Sequence, residues 1–243
     1  MKKFGLIGNP LGHSLSPLIH SEILKRTGFD ADYSLYEIKP EEFGVLAALD
    51  GFNVTIPYKE TIIPFLDKLD ESAVFENNGA VNCVKDKIGY NTDVFGFEKA
   101  IEALGADLGS RVCLLGHGGS GKMIADRVRT AGGELTIAVR DSIYALGGEF
   151  DLLINSTPVG MHPNVKDSPI DFENISAKYV LDLIYNPAET KLLSLAKKKG
   201  AKIMNGLIML AWQAIKSHEI WYGGKISEQD ADEIIQKITA SLS

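Results

Sequence analysis

The stretch VCLLGHGGSGK, residues 112–122, decides the fold. It runs from four apolar residues into a glycine-rich turn, and an amphipathic segment follows it. Glycines at GxGxxG spacing between a strand and a helix permit a tight turn and bring the N-terminal N–H groups of the helix close to a pyrophosphate. The stretch therefore predicts a dinucleotide site at the start of a βαβ unit, with a purely structural turn as the alternative. The predicted cofactor-binding residues here are Gly116, Gly118, Gly119, Ser120 and Gly121.

The next strand ends in Arg140 and Asp141, where a dinucleotide fold meets the adenosine ribose. An arginine there favours the 2′-phosphate of NADP, whereas an acidic residue favours NAD. We therefore expect NADP and keep NAD open, with a solvated Arg–Asp pair as the alternative. A Walker phosphate loop is not predicted, because no Ser or Thr follows Lys122 to hold magnesium.

Strand-like and helix-like segments alternate from one end of the chain to the other. This alternation predicts an α/β fold with parallel sheets. We place the boundary at residue 92, with an N-terminal α/β domain over 1–92 and a Rossmann-like nucleotide-binding domain over 93–212. Between Arg140 and Asp151 too few residues remain for a helix and a further strand. The Rossmann-like domain is therefore expected to be trimmed.

The bulk composition is that of an ordinary folded chain, with 45% hydrophobic and 23% charged residues. The net charge of −7 contains no long block of either sign, so nucleic-acid binding is not expected. No segment approaches the roughly 20 apolar residues of a membrane span, and the N-terminal apolar run is too short for a signal peptide. We expect a cytoplasmic protein without a membrane association. Cys83 and Cys113 lie in apolar runs and are expected to be buried reduced thiols, and no metal site is predicted.

One local pattern concerns the first helix. Residues 16–28 predict a helix that Ser16 caps and Gly28 ends. Two histidines in this region, His13 and His20, lack any pattern of catalytic partners and are expected to be structural.

Two further patterns follow in the chain. Residues 59–69 predict a helix that Pro64 interrupts. Residues 79–91 predict a β-hairpin with its turn near Asp86 and Lys87.

Short polar pieces fall at predicted strand ends or loops in the first half of the chain. They are GHSLSP, NVTIPYK, AVNC and NTD. In open α/β sheets the loops at the carboxyl ends of strands converge on ligands. The neutral hydrogen-bonding candidates are Ser14, Ser16, Asn53, Thr55 and Asn82, and the pairable charges are Lys59 and Asp93. Helix capping and turn chemistry are the alternatives for the neutral residues.

A lysine held by an aspartate suits proton transfer at a carbonyl or hydroxyl, which is the step that accompanies hydride transfer to a dinucleotide. The chain has no Ser-His-Asp order, nucleophile elbow or cluster of metal ligands that would indicate a hydrolase. The polar pieces and the glycine loop together therefore favour an oxidoreductase.

The motifs of the chain resemble those of the shikimate dehydrogenases, the enzymes that reduce 3-dehydroshikimate with NADPH. They occur in the family's order and cover nearly the whole chain: GNPLGHSLSPLIH, FNVTIPYKE, GAVNC, NTDVFGF, NSTPVGM, DLIYNP and NGLIMLAWQA. The resemblance implies an N-terminal substrate domain, a Rossmann-like cofactor domain, and last helices, over 213–243, that pack back on the first domain. The assembly is left open between a monomer and a homodimer.

The resemblance also implies residue roles. Lys59 would be the catalytic acid/base, paired with Asp93. Small-molecule substrate contacts would come from Ser14, Ser16, Thr55, Asn82, Asp93, Tyr185 and Gln213, and the polar pattern adds Asn53 as a further substrate-binding candidate. Cofactor contacts would come from the loop Gly116–Gly121 and from Arg140, Thr157, Leu183 and Gly206.

The sequence departs from the family pattern on the cofactor side. His117 stands where the glycine loop usually has a small alanine, and Val139, Arg140 and Asp141 replace the usual Asn-Arg-Thr/Ser run. The segment after Arg140 is also shorter. Two alternatives follow, an NAD-dependent quinate/shikimate dehydrogenase and a shikimate-binding relative with weakened cofactor binding.

Overall fold

The computed structural model describes residues 1–12, 14–75, 78–140, 142–143 and 146–241. The expectations for His13 and Asp141 concern residues outside these ranges. The chain forms two compact units, Met1–Gly96 with Leu210–Ser243, and Phe97–Met209. Within the described ranges, no helix is both long and apolar enough to cross a membrane.

The first unit contains a mixed six-stranded sheet and a separate two-stranded pair. Its strands are β1 (Lys2–Ile7), β2 (Ala31–Tyr36), β3 (Gly51–Val54), β4 (Lys68–Leu69), β5 (Val74–Phe75), β6 (Asn78–Gly79), β7 (Cys83–Lys85) and β8 (Ile88–Tyr90). The large sheet has the order β2-β1-β3-β7-β8-β4, and β5 pairs with β6. Because β1 runs parallel to both β2 and β3, the carboxyl ends of these three strands lie at one edge of the sheet.

The first helix, α1 (Ser16–Thr27), corrects one expectation. Ser16 is the first helical residue and not the cap, and its N–H donates a 3.2 Å hydrogen bond to Ser14 Oγ. Leu15 occupies the N-cap position and makes no side-chain capping hydrogen bond. The predicted end is confirmed, since Gly28 follows with φ of 70°, a left-handed conformation that suits glycine.

The helix predicted over residues 59–69 is wrong. The chain there forms only a 3-10 turn at Ile63–Phe65 and then joins the sheet as β4, which pairs in parallel with β8. Pro64 has no N–H to continue a helical ladder, and strand pairing captures the residues that follow it. The predicted hairpin is confirmed: β7 and β8 are antiparallel, and Asp86 and Lys87 form its turn at φ of 50° and 57°. Two further 3-10 helices are Pro40–Ala48 and Glu71–Ala73.

The second unit is a parallel Rossmann-like sheet with flanking helices. A helix that begins in the first unit, α2 (Thr92–Leu104), leads into it. Its strands are β9 (Arg111–Leu115), β10 (Glu134–Ala138), β11 (Gly148–Asn155), β12 (Ile175–Asp182) and β13 (Lys202–Met204). Its helices are α3 (Gly119–Thr130) and α4 (Lys191–Lys198). The last two helices, α5 (Leu207–Tyr222) and α6 (Glu228–Ser241), belong largely to the first unit.

The parallel sheet has the order β10-β9-β11-β12-β13. A doubly wound dinucleotide fold has the order 3-2-1-4-5-6, so β9 and β10 correspond to its first two strands and β11 to its fourth. Residues 139–147 join β10 directly to β11, on the other side of β9. A crossover with its own helix needs at least about 10–12 residues, and the described part of the chain has no strand that corresponds to the third. The predicted trimming is confirmed.

Both faces of the parallel sheet are covered, as expected for this architecture. The side chains of β9 from Val112 to Leu115 are fully buried. Ile143 and Leu146, from the short β10–β11 connection, are partly buried and pack against this core. Cys83 and Cys113 are buried free thiols, as predicted, and burial raises the pKa of each thiol to about 12.

Gly206, two residues after β13, lies very close to the backbone of Leu183. A Cβ at Gly206 would overlap the carbonyl oxygen of Leu183. We expect Gly206→Ala to lower the free energy of unfolding by about 1–3 kcal/mol, the usual cost of overpacking. Gly224→Ala is the matched control, because a Cβ there meets no atom within 4 Å. Urea denaturation of both variants measures the difference, and equal stability of the two would contradict the close approach.

Candidate functional site

An ion pair lies at the centre of the polar residues of the first unit. Lys59 follows β3, and Asp93 lies in the first turn of α2. Lys59 Nζ is 2.5 Å from Asp93 Oδ2, and the two side chains are 22% and 14% exposed. The carbonyl oxygen of Lys59 accepts a 2.8 Å hydrogen bond from the N–H of Val81, which fixes the backbone that carries the lysine. The pair is therefore both held in place and open to solvent, as an acid/base group must be.

Asn82 holds the other oxygen of the aspartate. Its Nδ2 donates to Asp93 Oδ1 at 2.9 Å and to Thr92 Oγ1 at 3.0 Å, and its Oδ1 accepts from the N–H of Thr92 at 2.7 Å. Asn91 Oδ1 accepts from the N–H of Asp93 at 3.0 Å. The aspartate consequently lies at the positive end of α2, with one carboxylate oxygen on an amide and the other on an ammonium group.

Helix α5 approaches the same amide. Gln213 Oε1 lies 3.4 Å from both Asn82 Nδ2 and Thr92 Oγ1. Four residues further along the helix, Ser217 Oγ accepts a 2.9 Å hydrogen bond from Asn53 Nδ2. The structure therefore brings together five of the predicted residues, namely Lys59, Asp93, Asn82, Asn53 and Gln213.

Ser14, Ser16 and Thr55 lie at the carboxyl-end edge of the sheet. Both serines are partly buried at the start of α1. The N–H of Thr55 donates a 2.9 Å hydrogen bond to the carbonyl of Ile7, which ties the ends of β3 and β1 together. A Cβ at Gly8 would lie 2.5 Å from Thr55 Cγ2, so the position of the threonine depends on glycine there.

Two buried histidines, one on α1 and one on α5, contact each other in the same unit. His20 Nδ1 and His218 Nε2 are 2.8 Å apart, and both residues are almost fully buried. Burial lowers the pKa of His218 to about 3 and lowers the pKa of His20 well below its ordinary value, where the neighbouring His218 adds to the effect. Both imidazoles are therefore neutral at physiological pH. His20 has the structural place that was expected.

Several residues of this network escaped the sequence analysis. Thr92 and Asn91 belong to the stretch NTD, but only its aspartate was selected. Ser217 lies four residues after Gln213, so it was identifiable as a residue on the same helix face. Tyr33, whose hydroxyl donates to Asn53 Oδ1 at 3.0 Å, gave no signal apart from an aromatic side chain in a strand.

The glycine loop of the second unit has the geometry of a phosphate cradle. Gly116 has φ of 92°, and its N–H donates a 2.9 Å hydrogen bond to the carbonyl of Ala138 at the end of β10. A Cβ at Gly121 would lie 2.8 Å from the carbonyl oxygen of Gly116, so the helix and the turn approach each other closely. By contrast, a Cβ at Gly118 or Gly119 would meet no atom of the described chain. These two glycines leave open space at the N-terminus of α3, which fits a pyrophosphate.

A second hydrogen-bonded group supports the ends of β11 and β12. Asn155 Nδ2 donates to Asp182 Oδ1 at 2.9 Å, and Asn155 Oδ1 accepts from the Thr157 hydroxyl at 2.7 Å. Burial raises the pKa of Asp182, and the hydrogen bond from Thr190 opposes this rise. Because β9 and β11 are neighbours whose connections leave in opposite directions, the crevice at their carboxyl ends is the switch point where such sheets bind ligands. Thr157 lies at this crevice, two residues after β11.

The remaining predicted residues are spread around the same sheet. Arg140 is exposed, two residues after β10. The N–H of Leu183 donates to the carbonyl of Asn155 at 3.0 Å, and Gly206 packs against Leu183. Tyr185 is partly buried, which raises the pKa of its phenol, and it is the one predicted substrate contact that belongs to the second unit. Within the described residues, no three His, Cys, Asp or Glu side chains are grouped as metal ligands.

The fold and these residues together indicate a class of enzymes. A Rossmann-like unit with a glycine loop, together with a unit that carries a partly buried lysine–aspartate pair, is typical of nicotinamide-dependent dehydrogenases. A family model described as the shikimate dehydrogenase substrate binding domain matches residues 6–84. The shikimate dehydrogenase (NADP(+)) of Caldanaerobacter subterraneus subsp. tengcongensis is 38% identical over 278 aligned residues, which cover 99% of this chain and 98% of that protein. The chain belongs to the shikimate dehydrogenase family.

Solved structures agree with this assignment. A shikimate dehydrogenase from Peptoclostridium difficile has a TM-score of 0.88 and 32% identity, over 100% of this chain and 99% of that one. The shikimate 5-dehydrogenase of Thermus thermophilus, solved in complex with NADP(H) and shikimate, has a TM-score of 0.85 and 30% identity, over 98% of this chain and 100% of that one. The alignment with the Caldanaerobacter relative spans 278 positions against the 243 residues of this chain, so at least 35 aligned positions have no residue in this chain.

The neutral histidine pair predicts acid sensitivity. An unfolded histidine has a pKa of about 6.5. Below that pH the unfolded chain binds a proton at His218 that the folded chain does not bind until about pH 3, and it binds one at His20 well before the folded chain does. The free energy of unfolding should therefore fall on acidification from about pH 6.5, by up to about 1.4 kcal/mol per pH unit for each histidine.

Urea denaturation at several pH values from about 6 to about 5 measures how the free energy of unfolding changes with pH. His218→Phe removes one of the two histidines and should make the slope clearly shallower. A wild-type slope in His218→Phe would refute the assignment of the acid sensitivity to this pair.

Proposed function

We propose that the protein catalyses the reversible, NADP-dependent reduction of 3-dehydroshikimate to shikimate, with Lys59 as the acid/base and Asp93 as its partner. The observation that carries the proposal is the 2.5 Å pair of Lys59 and Asp93 in the first unit of a chain that belongs to the shikimate dehydrogenase family. The relative solved with NADP(H) and shikimate supports the same pair of ligands for this chain.

Lys59 moves the proton at the C3 oxygen of the substrate. In the direction of reduction its ammonium group donates a proton as negative charge develops on that oxygen, and in the reverse direction the amine accepts the proton from the C3 hydroxyl. Asp93 keeps the lysine in place through its Oδ2, while Asn82 holds its Oδ1. The aspartate thereby orients the ammonium group.

The other polar residues of the first unit suit a polyhydroxy acid. Ser14, Ser16 and Thr55 offer hydroxyls that donate to a carboxylate or accept from a substrate hydroxyl. Asn82 and Gln213 offer amides. Tyr185 would add a phenol. A substrate with one carboxylate and several hydroxyls matches this set of neutral donors and acceptors better than a phosphorylated or apolar one.

The cofactor side fits a dinucleotide. The open space at Gly118 and Gly119 and the N–H groups at the start of α3 would hold the pyrophosphate, and Arg140 would bind the 2′-phosphate. Thr157, Leu183 and Gly206 would lie along the nicotinamide half. NADPH, when bound, supplies the hydride for C3.

The cellular setting forms part of the proposal. Two buried free thiols are typical of a reducing compartment, which supports a cytoplasmic location. The assembly is proposed to be a monomer or a homodimer, and size-exclusion chromatography with light scattering measures which of the two forms.

The role of Lys59 gives the direct mutational test. Lys59→Ala should lower turnover of shikimate by about 10²- to 10⁴-fold, the usual contribution of a positioned acid/base. Steady-state kinetics with NADP measures this loss, and circular dichroism checks that the variant is folded. Lys68→Ala, at an exposed lysine elsewhere in the same unit, is the matched control and should keep wild-type turnover. Wild-type turnover in Lys59→Ala would show that another group transfers the proton.

A further inference from the structure

Tyr33, on β2, is linked to the Lys59–Asp93 pair through two asparagines. Its hydroxyl donates a 3.0 Å hydrogen bond to Asn53 Oδ1. Neither a sequence motif nor the resemblance to the family pointed to this tyrosine. Its partner Asn53 is only 4% exposed, so the hydrogen bond lies inside the unit and not on its surface.

The amide of Asn53 has almost no free hydrogen-bonding capacity. Its two N–H groups donate to the carbonyl of Asn82 at 3.0 Å and to Ser217 Oγ at 2.9 Å. Because a carbonyl oxygen only accepts, these contacts fix which end of the amide is nitrogen. The amide oxygen then faces Tyr33, whose hydroxyl is the donor that satisfies it. Removal of this donor leaves a buried acceptor without its hydrogen bond.

The ring of Tyr33 is itself held rigidly. It stacks on the ring of His20 with centroids 3.8 Å apart and an interplanar angle of 9°. His20 is in turn held by the 2.8 Å contact with His218 on α5. The hydroxyl of Tyr33 therefore has a fixed direction toward Asn53, in contrast to a tyrosine that is free to rotate at a surface.

The chain of contacts continues from Asn53 to the charged pair. The carbonyl of Asn82 accepts both from the side chain of Asn53 and, at 2.9 Å, from the N–H of Val54. The side chain of the same Asn82 donates to Asp93 Oδ1. Asn53 therefore anchors Asn82, the residue that orients the aspartate. A shift of the Asn53 amide would consequently move Asn82 and the Lys59–Asp93 pair.

We propose that Tyr33 is a positioning residue for the substrate, which acts through Asn53 to hold Asn82 and the Lys59–Asp93 pair. This inference rests on the proposed function, since it assigns the residue a part in shikimate binding. A misplacement of about 1 Å in such a site lowers activity substantially, so a single hydroxyl has a measurable effect.

The test is Tyr33→Phe, which keeps the ring on His20 and removes only the hydroxyl. We expect the Kd for shikimate, measured by calorimetry, and the KM for shikimate to rise about tenfold, less than the roughly 10²-fold that a full 1 Å misplacement of a site can cost. The KM for NADP should stay at its wild-type value. Tyr36→Phe makes the same substitution three residues along the same strand and should change none of these constants.

A double-mutant cycle shows whether Tyr33 acts through Asn53. In the background of Asn53→Ala, Tyr33→Phe should have no further effect on shikimate binding. A rise of less than fivefold in Tyr33→Phe, an equal rise in Tyr36→Phe, or additive effects in the cycle would overturn the proposal (the fivefold limit is about 1 kcal/mol).

A readout without ligand separates this inference from the proposed function. The side-chain amide proton resonances of Asn53 and Asn82 should shift in Tyr33→Phe and stay in place in Tyr36→Phe. Absence of that shift overturns the positioning role even if Asn53→Ala does not fold. Failure of the wild-type protein to bind shikimate would instead refute the proposed function, while the amide resonances would still decide the link from Tyr33.

Discussion

The hydrogen bond from Asn82 to Asp93 is the interaction on which the rest of the site depends. One carboxylate oxygen of Asp93 accepts from this amide, and the other binds the ammonium group of Lys59. Asn82 is 3% exposed and is held from several sides, by Asn53, by Thr92 and by the sheet. A flexible lysine side chain loses considerable entropy when it is fixed. The rigid amide behind its partner explains how the lysine keeps one position at a solvent-accessible site.

The second unit follows a different constraint, which is the close approach of backbone to backbone. There is no room for a side chain at Gly121, which lies against Gly116, or at Gly206, which lies against Leu183. By contrast, Gly118 and Gly119 face open space. The first two glycines are therefore required by the chain itself, and the other two fit a ligand. The sheet around this loop has five strands, and Ile143 and Leu146 from the short β10–β11 connection pack against its core.

The sequence predicted much of this structure, since the strongest signals were local. The glycine loop follows a buried strand and opens a helix as expected, and the short segment after Arg140 correctly indicated a trimmed sheet. The helix predicted over 59–69 failed because strand pairing with β8 overrides local helical periodicity. Tyr33 and Ser217 were missed because their roles arise from contacts between residues distant in sequence. In a single sequence such residues look like an ordinary strand aromatic and an ordinary helical serine.

We propose that the Lys59–Asp93 pair and the loop Gly116–Gly121 serve one redox reaction. The most direct measurement is the shikimate-dependent reduction of NADP by the purified protein, followed by the absorbance of the reduced nicotinamide, with NAD assayed in parallel. We expect turnover with NADP to exceed turnover with NAD. Tight binding of shikimate by calorimetry, without reduction of either cofactor, would contradict the proposal.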